Sequence, residues 1–140
     1  MTRFENKSFS LTIPSDPVHL IKVDNLCTKA INYSGINESD GDDFAIAVTE
    51  IVNNAIHHGN KNVKEKKVFI DIFIYPSKLE AHIKDEGQGF DPDQIGDPLD
   101  PQNLMKESGR GIFLIKKLTD SLEFNFSNSG TEIIISKKIK

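Results

Sequence analysis

Glu50-Ile51-Val52-Asn53-Asn54-Ala55-Ile56-His57-His58-Gly59 reads as the last turns of a helix with two unlike faces. At about 100° per residue, Phe44, Val48, Ile51, Val52 and Ala55 fall on one side, and Glu50, Asn53, Asn54 and His57 on the other. The first face packs. Glu50 and Asn54, four apart, stand one turn from each other and can address a single object with a carboxylate and an amide oxygen. An oxygen-ligated cation beside a water or a hydroxyl group suits that pair. A solvated outer face is the plainer reading of the same pattern.

Upstream of this helix, Phe9, Leu11 and Ile13 alternate with Ser8, Ser10 and Thr12 and predict a strand that stops at Pro14. Ser15-Asp16-Pro17 then caps a helix carrying Val18, Ile21, Leu26, Ala30 and Ile31, with Gly35 as its left-handed end. Asn37 to Asp43 leads into the second helix, which Gly59 stops. Downstream, the apolar run in Lys67–Tyr75 predicts a central strand, and Pro76-Ser77-Lys78 a turn. In the next strand Leu79, Ala81 and Ile83 share a face with Asp85, which aims a carboxylate at the core side. A hydrogen-bond donor should meet it there. His82, on the opposite face, reads as a surface histidine.

Asp91 to Ser108 is acidic, proline-containing and of little periodicity, and reads as a loop whose length means a mobile lid or a disordered segment. Gly109-Arg110-Gly111 opens a third helix bearing Ile112, Ile115, Leu118 and Leu122. Glycines at a helix N-terminus let backbone N–H groups face an anion at close range. Leu122–Ser127 and Thr131–Ile139 form a last hairpin across Asn128-Ser129-Gly130. The expected fold class is α+β: a two-layer α/β sandwich in which helices cover one face of a mixed, mainly antiparallel sheet.

A chain of 140 residues, 37% hydrophobic and 27% charged, suits one domain spanning 1–140. A net charge of −4 argues against a broad nucleic-acid surface. The lone Cys27, set in an apolar helical pattern, reads as a core thiol of a reducing compartment. No apolar run approaches the roughly 18 residues of a membrane span, and the first residues do not open a signal peptide, so a cytoplasmic protein is expected.

Neither glycine group is a phosphate-binding Walker loop or a dinucleotide fingerprint, and each alone is a weak signal. Their order is informative. A helix with Glu and Asn, a strand ending in an inward Asp before glycines, a lid, and glycines opening a helix can together supply a base, a metal ligand, a ring-binding acid and a phosphate cradle. In this the chain resembles the GHKL, or Bergerat-fold, ATP-binding domains, and among them the small bacterial anti-sigma factor serine kinases of partner-switching systems. Glu50-x-x-x-Asn54-Ala55 resembles the family's Glu-x-x-x-Asn-Ala box, and Asp85-x-Gly87-x-Gly89-Phe90 its first glycine box. Gly109-x-Gly111 resembles the second, and Gly130-Thr131 the Gly-Thr before the final strand.

The resemblance implies ATP and Mg²⁺ as ligands. It gives Glu50 the role of base for the attacking hydroxyl and Asn54 that of amide ligand to Mg²⁺. Asp85 would accept from the adenine amino group with Thr131 supporting the same ring edge, and Gly87 and Gly89 would let the backbone approach the nucleotide. Gly109, Arg110 and Gly111 would offer N–H groups to the phosphates, and His58 is placed among the nucleotide contacts. One departure stands out: Glu107 occupies a position where several family kinases carry a basic residue, which leaves Lys106 or Arg110 to meet the γ-phosphate.

The implied partners are a sigma factor and an anti-anti-sigma protein of the STAS type, whose serine would be phosphorylated; a homodimer is left open. Two other functions fit the same boxes: a nucleotide-dependent clamp with little or no transfer, and a histidine-kinase ATP-binding domain cut from a receptor. A plain α/β interaction domain remains if there is no affinity for ATP.

Overall fold

The computed structural model describes residues 7–87 and 107–140. Alternating apolar residues build β1 (Lys7–Pro14). Beyond it the Asp16 carboxylate accepts the Val18 N–H at 3.1 Å, a bond that holds this carboxyl below its ordinary pKa. A tight turn over Pro17–His19 feeds α1 (Leu20–Ser34), and Gly35, with φ 73°, ends it by donating its N–H to Ile31.

The buried stripe of α1 is Val23, Leu26, Cys27 and Ala30. Val18 and Ile21, expected on that stripe, are instead 68% and 62% exposed. Ile21 lies about 140° around the helix from Leu26, and Val18 belongs to the tighter turn before the helix starts, so neither shares the packing face.

Asn37 caps α2 (Glu38–Asn54) by accepting the Asp40 N–H at 2.8 Å. Phe44, Ala47, Val48, Ile51 and Val52 are all fully buried, as the helical phase predicts. Burying each of the larger ones contributes about 1.5–3 kcal/mol, so this face anchors the helix. The helix then widens into a π-helical turn over Ala55–Gly59.

β2 (Lys67–Tyr75) and β3 (Lys78–Lys84) form a hairpin across Pro76 and Ser77; α3 (Glu107–Leu118) and a second hairpin, β4 (Ser121–Ser127) and β5 (Gly130–Lys138), follow. The sheet order is β1-β2-β3-β5-β4, and among the described residues every ladder is antiparallel. The expected mixed character is missing for a topological reason. β3-α3-β4 is a crossover between strands that point the same way, but β5 inserts between them and runs antiparallel to both.

α1 packs on β1 and β2, α2 on β3 and β5, and α3 on α2 and β4. Val68, Ile70, Ile72 and Ile74 face the helices, fully buried. On the other face His82 lies edge-on to Phe73, with ring centroids 4.9 Å apart, and its Nε2 meets Glu80 at 3.1 Å. Lys137 Nζ donates to the Leu118 carbonyl at 3.0 Å and meets Asp43 at 3.5 Å, tying β5 to α2 and to the last turn of α3.

Two boundaries differ from those expected. Glu107 and Ser108 already belong to α3, so Gly109-Arg110-Gly111 lies within its first turns, and Leu122 sits in β4 opposite Ile135. A helix ends where its carbonyls lose partners, and α3 does so at Leu118, whose carbonyl Lys137 caps. Among the described residues no helix is long and apolar enough to cross a membrane.

Candidate functional site

Glu50 and Asn54 leave α2 on its half-buried face, one turn apart. The first turns of α3 lie directly over them. A Cβ on Gly111 would stand 2.5 Å from Glu50 Oε1 and 3.0 Å from Asn54 Nδ2. Only a residue without a side chain permits that approach. Among the described residues neither the Glu50 carboxylate nor the Asn54 amide has a hydrogen-bond partner, so both keep their donor and acceptor capacity for a ligand.

Asp85 continues the buried face of β3 and is 6% exposed. Its Oδ1 accepts two backbone N–H groups, from Gly87 at 2.9 Å and Thr131 at 3.0 Å. Its own N–H donates to the Thr131 carbonyl at 3.0 Å. These are the donors that an inward carboxylate requires. Oδ2 is different: among the described residues no donor reaches it. Since among the described residues no buried side-chain oxygen or nitrogen lacks a partner, Oδ2 is reached by solvent. One oxygen is thus fixed by the backbone, and the other is free to accept.

Three glycines crowd this carboxylate. A Cβ on Gly59 would run into the Asp85 side chain, one on Gly87 into the Gly59 carbonyl, and one on Gly130 into the Asp85 carbonyl. Gly130 also has φ 143°. The end of the α2 helix, the end of β3 and the start of β5 therefore meet at backbone distance. Residues 54 and 59 are separated by about 7–8 Å of helical rise, which places the Glu50–Asn54 pair and Asp85 within reach of one elongated ligand.

The structure thus gathers Glu50, Asn54, Asp85, Gly87, Gly111 and Thr131. His58 is exposed on the widened turn, without a polar partner among the described residues. Gly109 and Arg110 lie in α3. Gly89, Lys106 and the segment expected to form a lid, up to residue 106, lie outside the described residues. Two participants escape the sequence reading. Gly59 does stop the helix, but its φ is not positive, and its lack of a side chain serves Asp85. Asn60, fully buried, donates to Ser15 Oγ at 2.8 Å and the Lys67 carbonyl at 2.9 Å while accepting the Glu86 N–H at 2.8 Å. No local pattern separates such an asparagine from an ordinary turn residue.

A family described as histidine kinase-like ATPase domain matches residues 13–137. Serine-protein kinase RsbW of Oceanobacillus iheyensis is 27% identical over 135 residues, covering 92% of this chain and 85% of that protein. The RsbW of Bacillus subtilis (strain 168) is 26% identical over 133 residues, covering 91% and 82%. Among solved structures, the RsbU and RsbW domains of Rv1364c from Mycobacterium tuberculosis match with a TM-score of 0.71 at 16% identity, over 95% of this chain and 32% of that one. The mycobacterial sensor histidine kinase MprB matches at 0.56 and 16% identity, over 93% and 97%. At such identities the two structures speak for the fold alone.

Proposed function

The chain belongs to the histidine kinase-like ATPase domain family, and from that premise we propose that it is an ATP-dependent anti-sigma factor and protein-serine kinase. It forms a single domain with a lid over 91–108, binds a sigma factor, and phosphorylates a serine of an anti-anti-sigma protein of the STAS type. The observation that carries this reading is the convergence, under Gly111, of a carboxylate and an amide that have no partner among the described residues with a carboxylate whose second oxygen no described donor reaches.

The donor set fits Mg²⁺ and ATP. A neutral amide oxygen from Asn54 suffices for a cation that keeps most of its ligands as waters and phosphate oxygens. When bound, the metal neutralises charge on the phosphates. Asp85 Oδ2 accepts from the adenine amino group, and the backbone N–H groups of the first turn of α3, which have no partner within the helix, face the phosphates. Glu50 takes the proton of the attacking serine hydroxyl, a role worth typically 10²–10⁴ in rate.

Glu107 supports a second reading, a nucleotide-dependent clamp with slow or no transfer, because an acid stands where several kinases of the resembling family carry a basic residue available to the γ-phosphate. Incubation with radiolabelled Mg·ATP and candidate antagonist proteins separates the two. Label on an antagonist serine is the result expected of the kinase; stable nucleotide-dependent binding without label marks the clamp.

A further inference from the structure

Asp85 can discriminate between bases only if its free oxygen points the same way in every molecule, and the groups that aim it are buried behind it. Asn60 is the centre of that support. Its amide makes bonds to three segments: Ser15 after β1, Lys67 at the start of β2, and Glu86 after β3. Ser15 Oγ passes the chain on to the Lys66 carbonyl at 2.6 Å, and the Glu86 carboxylate returns to accept the Lys67 N–H at 2.6 Å. Both amide hydrogens of Asn60 and its oxygen are therefore satisfied inside the protein, which leaves the side chain a single orientation.

The Glu86 N–H that Asn60 holds belongs to the peptide unit joining Asp85 to Glu86, so this bond fixes the backbone rotation of Asp85 itself. Asn60 also follows Gly59 directly, and Gly59 makes the space that the Asp85 carboxylate fills. One buried amide thus sets both the plane from which the carboxylate springs and the wall it lies against.

We infer that Asn60 is a positioning residue for base selection: without touching nucleotide, it aims Asp85 Oδ2 at the base. This rests on the reading of Asp85 as the adenine-binding acid. The test measures dissociation constants of ATP and GTP, with Mg²⁺, for the parent chain and for Asn60→Ala. The preference for ATP should fall about tenfold, the worth of one well-placed hydrogen bond. Amide exchange at Glu86, Gly87 and Thr131 should quicken more than in β1 or α1. A purely structural role would lower stability and speed exchange throughout, yet leave the preference of the folded fraction unchanged; that result overturns the inference. Where Asn60→Ala does not fold, Ser15→Ala removes one of its three partners and should lower the same preference to a smaller degree; an unaltered preference there also overturns it. A parent chain that binds no ATP removes the functional reading and this inference together, whereas a preference kept by folded Asn60→Ala removes the inference alone.

Discussion

The Asp85 carboxylate occupies the position that a Cβ on Gly59 would take. The last turn of the helix carrying Glu50 and Asn54 therefore cannot be seated independently of the strand carrying Asp85. What joins the two halves of the site is the absence of an atom.

Gly59→Ala should accordingly damage both fold and binding. Asp85 cannot swing aside cheaply, because Gly87 and Thr131 hold Oδ1. Overpacking of this kind costs about 1–3 kcal/mol. Urea denaturation should show that loss, and ATP titration a weakened affinity. Unchanged values in both would mean that the two backbones are not locked together.

Gly111→Ala should separate the two effects. The new methyl group meets the far ends of Glu50 and Asn54, which can rotate, so stability should change by less than about 1 kcal/mol. Binding of Mg·ATP should fall all the same, since those two groups would be displaced from the ligand. A stable variant with parental ATP affinity would take the Gly111 contact out of the site.

Glu50→Gln and Asn54→Ala remove the pair itself. The first should retain nucleotide binding and slow phosphorylation of the antagonist serine by about 10²-fold or more; full turnover would remove Glu50 from the mechanism. The second should abolish Mg²⁺-dependent binding of ATP, read by calorimetry with and without the metal.

Asp85→Asn should do more than weaken selection for adenine. Two backbone N–H donors demand an oxygen at the Oδ1 position, so the amide nitrogen must take the place of Oδ2. A donor would then face the base. The preference should move towards inosine triphosphate, whose ring carries an acceptor where adenine carries an amino group. Competition between ATP and inosine triphosphate for the variant measures it, and an undiminished ATP preference would remove Asp85 from base recognition.

The elements and the inward carboxylate were readable because each follows from a short-range rule: period 2 in β3, a helical face in α2, a cap at Asp16, a left-handed stop at Gly35. The α1 stripe was misjudged because Val18 and Ile21 are apolar residues that the fold leaves exposed. Single apolar residues on a surface carry no local mark. The insertion of β5 between β3 and β4 was hidden because sheet order depends on contacts between segments, not on the pattern within any one. The packing of Gly59 against Asp85 and the bonds of Asn60 are hidden on the same ground. Their roles are defined by Asp85 and Glu86, more than twenty residues away, and nothing in their own neighbourhood announces them.

Cys27 gives a prediction in pH. It is 1% exposed among Val23, Leu26 and Ala30, and burial pushes its thiol from an ordinary 9.0 up to about 12, the nearby Asp24 adding to the effect. The neutral thiol is the form the core accepts. Its contribution is therefore complete below about pH 9, where folded and unfolded chains both keep the proton, and is lost as pH rises from 9 towards 12, where only the unfolded chain ionises freely. Across that window the stability assigned to Cys27 should fall by at most about 1.4 kcal/mol per pH unit. Lysines and tyrosines titrate there too, so the quantity to measure is the difference between the parent chain and Cys27→Ala in urea at pH 8 and at pH 10.5. A difference that does not change with pH would mean that the thiol ionises as readily folded as unfolded. Alkylation gives an independent reading: at pH 8 iodoacetamide should modify the native chain far more slowly than the urea-unfolded one, and comparable rates would place Cys27 outside the sealed core.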